Sequence, residues 1–183
     1  MTHDSLVRRH CGAVLGEFVR DVDLTGLPPV GDGSPFRVSV FRDRDVLVYV
    51  TDGKRRREPA GRLELFVVAP PSRAFEPWVA LALGACADFH KTGAQLSAGH
   101  TVDLGMPIVP DATCDHGLVS LPYLKGHGPR LEWHEESGTR FLWLIPITRD
   151  ERRFKVAHGL EALEATFERA AFNYLDWFRP SVV

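Results

Sequence analysis

The sequence predicts an α+β fold, a largely antiparallel β-sheet flanked by helices in a single domain. Two apolar runs alternate with polar residues around a short turn in the first half. An unbroken oily run, Phe141-Leu142-Trp143-Leu144-Ile145, stands directly before a helix-start signal. Amphipathic helical stretches lie at both ends of the chain. At 183 residues the chain falls in the size range of one domain, long enough to bury about 70% of the surface its unfolded form exposes. Residues 1–35 are expected to supply an N-terminal helix and a Pro/Gly-rich loop packed on the same domain, and residues 36–183 the remainder.

Leu6, Val7, Cys11, Val14, Leu15, Phe18 and Val22 recur at helical spacing, with Asp4 or Ser5 available as a cap, so one amphipathic helix is predicted to run through Val22. Residues 25–35 carry Gly26, Pro28, Pro29, Gly31, Gly33 and Pro35 and read as a loop. Phe36, Val38 and Val40 alternate with Arg37, Ser39 and Phe41, and a second run, 46–51, follows a polar turn, which predicts a hairpin. The run 63–69 adds a third antiparallel strand, stopped by Pro70 and Pro71, because proline cannot donate to a ladder. Residues 76–91 switch to helical spacing at Trp78, Leu81, Ala82, Ala85 and Phe89, with Pro77 tolerated in the first turn.

Short strands are expected over 101–104, 118–123 and 131–135. The run at 140–147, apolar on both faces and ending at Pro146, is expected to be the central strand of a covered sheet. Thr148-Arg149-Asp150-Glu151 is a capping box, in which the Thr hydroxyl and the Glu carboxylate each satisfy an otherwise unpaired amide, so a helix must start there. After Gly159, the stripe Leu160, Leu163, Phe167, Ala170, Ala171, Tyr174 and Phe178 predicts a last amphipathic helix, with Glu161, Glu164, Glu168 and Arg169 facing away.

Composition excludes several classes of function. The 22 basic and 24 acidic residues leave a formal charge of -2, so no overall field selects nucleic acid or an anionic membrane. Three scattered cysteines, Cys11, Cys86 and Cys114, read as free thiols in a reducing compartment. The first twelve residues have no apolar stretch of signal-peptide length, and the most apolar window, 78–87, is far short of a membrane span. A cytoplasmic protein is expected.

The search for chemistry is sparse. Cys114, His116, His127 and His134 crowd one region, but there is no C-x-x-C pair, and His134-Glu135-Glu136 lacks the second histidine of an H-E-x-x-H helix. No serine occupies a G-x-S-x-G elbow, and no glycine loop has the spacing that cradles phosphate. Asp88 with His90 and Asp115 with His116 could orient one another, a pairing common in ordinary surfaces. No catalytic, cofactor or metal residue is therefore assigned. Lys54-Arg55-Arg56-Arg57 reads as a solvated hairpin tip, and the lack of interleaved aromatics disfavours single-stranded nucleic acid. Asp111, Asp115, Glu132, Glu135 and Glu136 make residues 111–136 an acidic region, the kind of surface that blocks a basic protein, and with His116 they are the candidate partner-binding residues.

Val48-Tyr49-Val50-Thr51 closing on Gly53, Leu63-Glu64-Leu65-Phe66 running to Pro70, and Trp78 on the next helix resemble the Suppressor of fused domain family. The likeness continues through His100-Thr101, Gly105, Pro107, the strand 118–122, the stretch 141–148 with Glu151, then Gly159, Leu163, Asp176 and Arg179. Strand-Pro-Ile-Thr-x-x-Glu is its most telling piece. The resemblance implies a domain over 36–183 that works by sequestering other proteins. Eukaryotic members restrain transcription factors, and bacterial single-domain relatives are often immunity proteins of toxin systems. The chain is expected to hold only the one domain, without the further domain that completes the eukaryotic binding cleft. The leading expectation is thus a protein-binding domain, monomer or weak dimer, acting as an immunity protein against a cognate toxin encoded nearby. It would use a strand edge or the acidic region as its contact surface. The rival is a small metal-dependent or Cys/His hydrolase built on Cys114, His116 and His134.

Overall fold

The computed structural model describes residues 3–27, 37–52, 62–89, 96–124 and 128–183. The loop residues 28–35, the basic run Lys54–Arg57, His90 and His127 lie outside the described residues. The elements are α1 (His3–Leu15), β1 (Glu17–Asp21), β2 (Arg37–Asp43), β3 (Val46–Asp52), β4 (Arg62–Ala69), α2 (Glu76–Phe89) and β5 (Thr101–Asp103). They continue with β6 (Cys114–Ser120), α3 (Gly128–Glu132), β7 (Trp133–His134), β8 (Thr139–Thr148), α4 (Arg149–His158) and α5 (Leu160–Arg169).

One sheet runs in the order β1-β2-β3-β4-β8-β6-β5, with β7 also on β8. The predicted hairpin forms in full register from Arg37↔Asp52 to Asp43↔Val46, and β4 extends it into the expected meander. Among the described residues the sheet is mixed at a single joint, where β8 runs parallel to β4. Antiparallel β6 closes its other side.

Both faces are apolar, which is why β8 carries no polar alternation. Leu142 and Leu144 enter the core under α2 together with Tyr49, Leu65, Val67, Val79 and Leu83. Phe141, Trp143, Ile145 and Ile147 enter the opposite core, which α1, α3 and α5 cover with Val7, Cys11, Leu131 and Leu163. Each large side chain so buried contributes about 1.5–3 kcal/mol. The oily run is therefore an interior strand covered on both faces, as the sequence predicts, although β4 is the middle strand of the order.

Five expected boundaries move, the first being that of the strand expected over 118–123, which lies over Cys114–Ser120 as β6. The first helix stops at Leu15, because Gly16 adopts φ 95° and a Cβ there would lie 2.5 Å from the Arg42 carbonyl oxygen. Phe18 and Val22 consequently belong to an edge strand and its exit, not to a helix. Leu131 and Glu132 end the short α3, leaving only Trp133 and His134 as strand, since Gly138 at φ 61° turns the chain straight back into β8. Strand β8 does not stop at Pro146 but runs to Thr148. Beyond Phe66↔Trp143 it has parted from β4, so the prolyl nitrogen interrupts no ladder, and the Pro146 carbonyl receives a long 3.5 Å bond from Arg179.

Finally, α5 ends at Arg169, and Ala171 takes a left-handed φ of 49°. Asn173 and Asp176 accept bonds from the backbone N–H groups two residues on, turning the tail so that Trp177 enters the α2-side core. Tyr174 stays on the other face, so the C-terminal segment wraps from one core to the other.

Candidate functional site

The residues singled out by the sequence fall at opposite ends of β8. His116 is opposite Ile147 near its end, whereas His134 is opposite Thr139 at its start. Eight residues of strand separate them, about 26 Å.

At the far end, the β6 bulge at Asp115 puts Cys114 and His116 on opposite faces of the sheet, opposite Thr148 and Ile147 respectively. His116 is buried, with Nδ1 2.7 Å from Asp115 Oδ1 and Nε2 3.8 Å from Asp103 Oδ2 on the neighbouring strand. Arg149 binds the second Asp115 oxygen at 2.9 Å. Burial works to raise the Asp115 carboxyl, but its bonds to His116 and Arg149 outweigh that and hold it below its ordinary value. Asp111 sits exposed at φ 64°.

At the near end, Glu132 is half-buried and paired with Arg140 at 3.1 Å, and exposed Glu136 is paired with Arg9 of α1 at 2.6 Å. Glu135 is exposed, beside Trp133, which is 42% exposed. His134 and His10 of α1 lie with ring centroids 4.4 Å apart at a tilt of 32°, and His10 stacks on Phe141 at 5.5 Å. His134 Nδ1 is 2.7 Å from the Ser137 hydroxyl, which donates to Thr139. Burial, then His134, pushes the His10 imidazole down to about 4, against a hydrogen bond to the Arg130 backbone.

The acidic region 111–136 is thus two separate surfaces, each partly neutralised by arginines from other elements. The hydrolase constellation is not assembled either. Cys114 is wholly buried, its thiol pushed up to about 11 chiefly by burial, while His116 faces the other core and His134 is at the other end of the strand. Among the described residues, no group of three or more His, Cys, Asp or Glu side chains is placed to hold a metal ion. No helix of the described residues is long and apolar enough to cross a membrane.

Sequence reasoning placed Glu151 in a capping box but missed the buried network it forms with Arg179. Glu151, fully buried, accepts Arg179 on both oxygens, at 2.5 and 2.8 Å, together with the backbone N–H groups of Thr148 and Val182. Arg179 lies 4.3 Å from the centre of the Phe172 ring, and Thr113 donates to the Arg179 carbonyl at 2.5 Å. The capping box is complete, with the Thr148 hydroxyl accepting from Glu151 N–H. Its spacing reveals the box but not the arginine, which comes from 28 residues away.

The family model of the Suppressor of fused protein (SUFU) matches residues 34–180. The chain belongs to the Suppressor of fused family. A SUFU homologue from Neisseria gonorrhoeae FA 1090 superimposes with a TM-score of 0.79 at 29% identity, over 99% of this chain and 97% of that one. A chain from the crystal structure of the Sufu–Fu complex gives 0.68 at 16% identity, over 98% of this chain and 92% of that one. Drosophila Suppressor of fused gives 0.63 at 16% identity, with 95% of this chain covering 50% of that one. No curated protein matches the sequence. In this SUFU domain the Pro146-Ile147-Thr148-x-x-Glu151 stretch and Arg179 are joined in one buried network, so the motif holds the fold together and is not itself a contact surface.

Proposed function

We propose that this SUFU-family domain works by binding and sequestering a partner protein, and that the partner is a toxin encoded nearby, for which the domain is the cytoplasmic immunity protein. The observation that carries the reading is the family membership, together with the shared fold of a chain solved in a Sufu–Fu complex. The protein-binding class rests on that likeness, and the toxin partner on the bacterial relatives that the resemblance implies. The conventional nucleophile candidate is buried as a neutral thiol, which leaves recognition as the better-supported use of the surface.

The contact surface in this reading is the near end of β8. Trp133 supplies a large, partly exposed ring, the residue type that anchors interfaces, and Glu135 and Glu136 give it an acidic rim suited to a basic partner. Asp111, Asp115, His116 and Glu132 have smaller parts: His116 is buried, Asp115 and Glu132 are half-buried in ion pairs, and Asp111 is remote in the fold. Residues 36–183 form the recognition domain, and the segment 1–35 supports it through Arg9.

The test is co-expression with each neighbouring toxin-like reading frame, reading protection and co-purification. Protection that is lost in Trp133→Ala and Glu135→Lys, with the folded state intact by circular dichroism, supports the reading. No protection and no co-purification with any of them removes it.

A further inference from the structure

Consecutive helices α4 and α5 carry opposite charge on their outward sides. On α4, Glu151, Phe154 and Lys155 face inward, while Arg149, Arg152, Arg153 and Val156 share the opposite side at spacings of three and four residues. Val156 is 65% exposed, an apolar side chain set among the three guanidinium groups. On α5, Leu160, Leu163 and Phe167 face inward, and Glu161, Glu164 and Glu168 line one flank. Only Gly159 separates the two helices, so the two stripes follow one another closely along the chain.

Neither stripe neutralises the other within the chain. Arg149 is turned to Asp115 and Arg153 to Asp150, and Arg169 is turned away to the Thr166 hydroxyl. Among the described residues, Arg152, Glu161, Glu164 and Glu168 have no ion-pair partner. Burial, followed by repulsion from Glu161 and Glu168, raises the Glu164 carboxyl above its ordinary value, the mark of like charges left uncompensated.

We propose that the α4–α5 face is a self-association surface whose occupant is a second copy of this chain. A two-fold axis lays the arginine stripe of each copy over the glutamate stripe of the other, with Val156 at the centre. The argument is charge complementarity. A surface holding both signs side by side is self-complementary under two-fold symmetry, as an isologous contact requires, and a net charge of -2 puts little long-range repulsion between copies. The unpaired Arg152, and Arg153, whose exposed bond to Asp150 is long at 3.4 Å, are the guanidinium groups placed to meet the unpaired Glu161 and Glu168 of the other copy. The contact is polar, so it is weak and salt-sensitive. It stands independently of the partner-protein reading.

Sedimentation velocity on the full chain over a concentration series, in about 50 mM and about 500 mM salt, reads the association directly. The expected result is a monomer–dimer equilibrium whose dissociation constant rises about tenfold in high salt. The charge-reversed variants Arg152→Glu/Arg153→Glu and Glu161→Lys/Glu168→Lys should each be monomeric alone. Mixed one to one, they should dimerise again, because one then carries two negative stripes and the other two positive ones. That rescue also shows both variants to be folded. A wild-type chain that stays monomeric at low salt overturns the proposal, even if an acidic or basic peptide binds the face, since the occupant is then another molecule. A dimer indifferent to both reversals overturns it too, by placing the interface elsewhere.

Discussion

The two ends of β8 solve the same problem, a cluster of polar groups against an apolar sheet, in opposite ways. At Thr148 the buried Glu151 carboxylate is met by a guanidinium and two backbone N–H groups, so its charge is fully matched. At Thr139, burial is managed by removing charge: the His10 ring is held neutral against His134 and Phe141, its buried Nε2 without a hydrogen-bond partner, and the nearby ion pairs stay at the surface. The first arrangement is rigid and cannot be opened without exposing a charge to the core. The second can be altered by one proton, and its rim remains available for contact.

Removing one member of the matched pair should have the largest effect. Glu151→Ala leaves the Arg179 guanidinium in the core and the Thr148 N–H unmet, and is expected to lower stability by about 3–5 kcal/mol, measured as the urea midpoint. Arg179→Met should be comparably harmful, because it strands the carboxylate. A loss under about 1 kcal/mol for both would erase the difference between the two ends.

Acid should break the near end next. The folded state holds His10 near 4, below its ordinary value of 6.5, so the unfolded chain takes up a proton that the native chain refuses. The stability this neutral imidazole contributes is complete above pH 6.5 and is lost as pH falls from there to about 4. The loss is expected to be about 2 kcal/mol after allowance for solvent near the ring. His10→Phe keeps an aromatic ring beside Phe141 and removes the titration, so its stability should lose that slope between pH 6.5 and 4, as followed by urea titrations at each pH. Burial, then His134, then Arg130 set the midpoint.

Smaller again is Thr148→Ala. It removes the hydroxyl that accepts from Glu151 N–H but leaves the ion pair in place, for a cost of about 1 kcal/mol by the same measurement.

What was legible in the sequence follows the range of the forces involved. The hairpin, the strand covered on both faces and the capping box are set by patterns a few residues long, and they appear where expected. The helix through Val22 failed because a single glycine, Gly16, is required by close approach to Arg42, a contact that no local period reports. The last helix was overextended because Tyr174 and Phe178 fit its stripe, although Trp177 belongs to the other core. The acidic region looked like one site because its residues are near in sequence, whereas β8 draws them to opposite ends. Glu151 with Arg179, and His10 with His134, are pairings across long separations and leave no spacing to read.

The smallest expected effect tests the comparison most finely. Arg140 and Glu132 form an ion pair at 3.1 Å with side chains 42% and 35% exposed, against 7% and 0% for Arg179 and Glu151. Water screens the first pair and not the second, so a double-mutant cycle on Arg140→Ala and Glu132→Ala should give a coupling below about 1 kcal/mol, and raising the salt should reduce it further. The same cycle on Glu151 and Arg179 should give a coupling several times larger and nearly indifferent to salt, because the loss in each single variant is dominated by the charge left behind. If the two cycles returned equal couplings, exposure would not be what separates the ends. The near end would then be as fixed as the far one, which would remove the physical reason for placing a contact surface there.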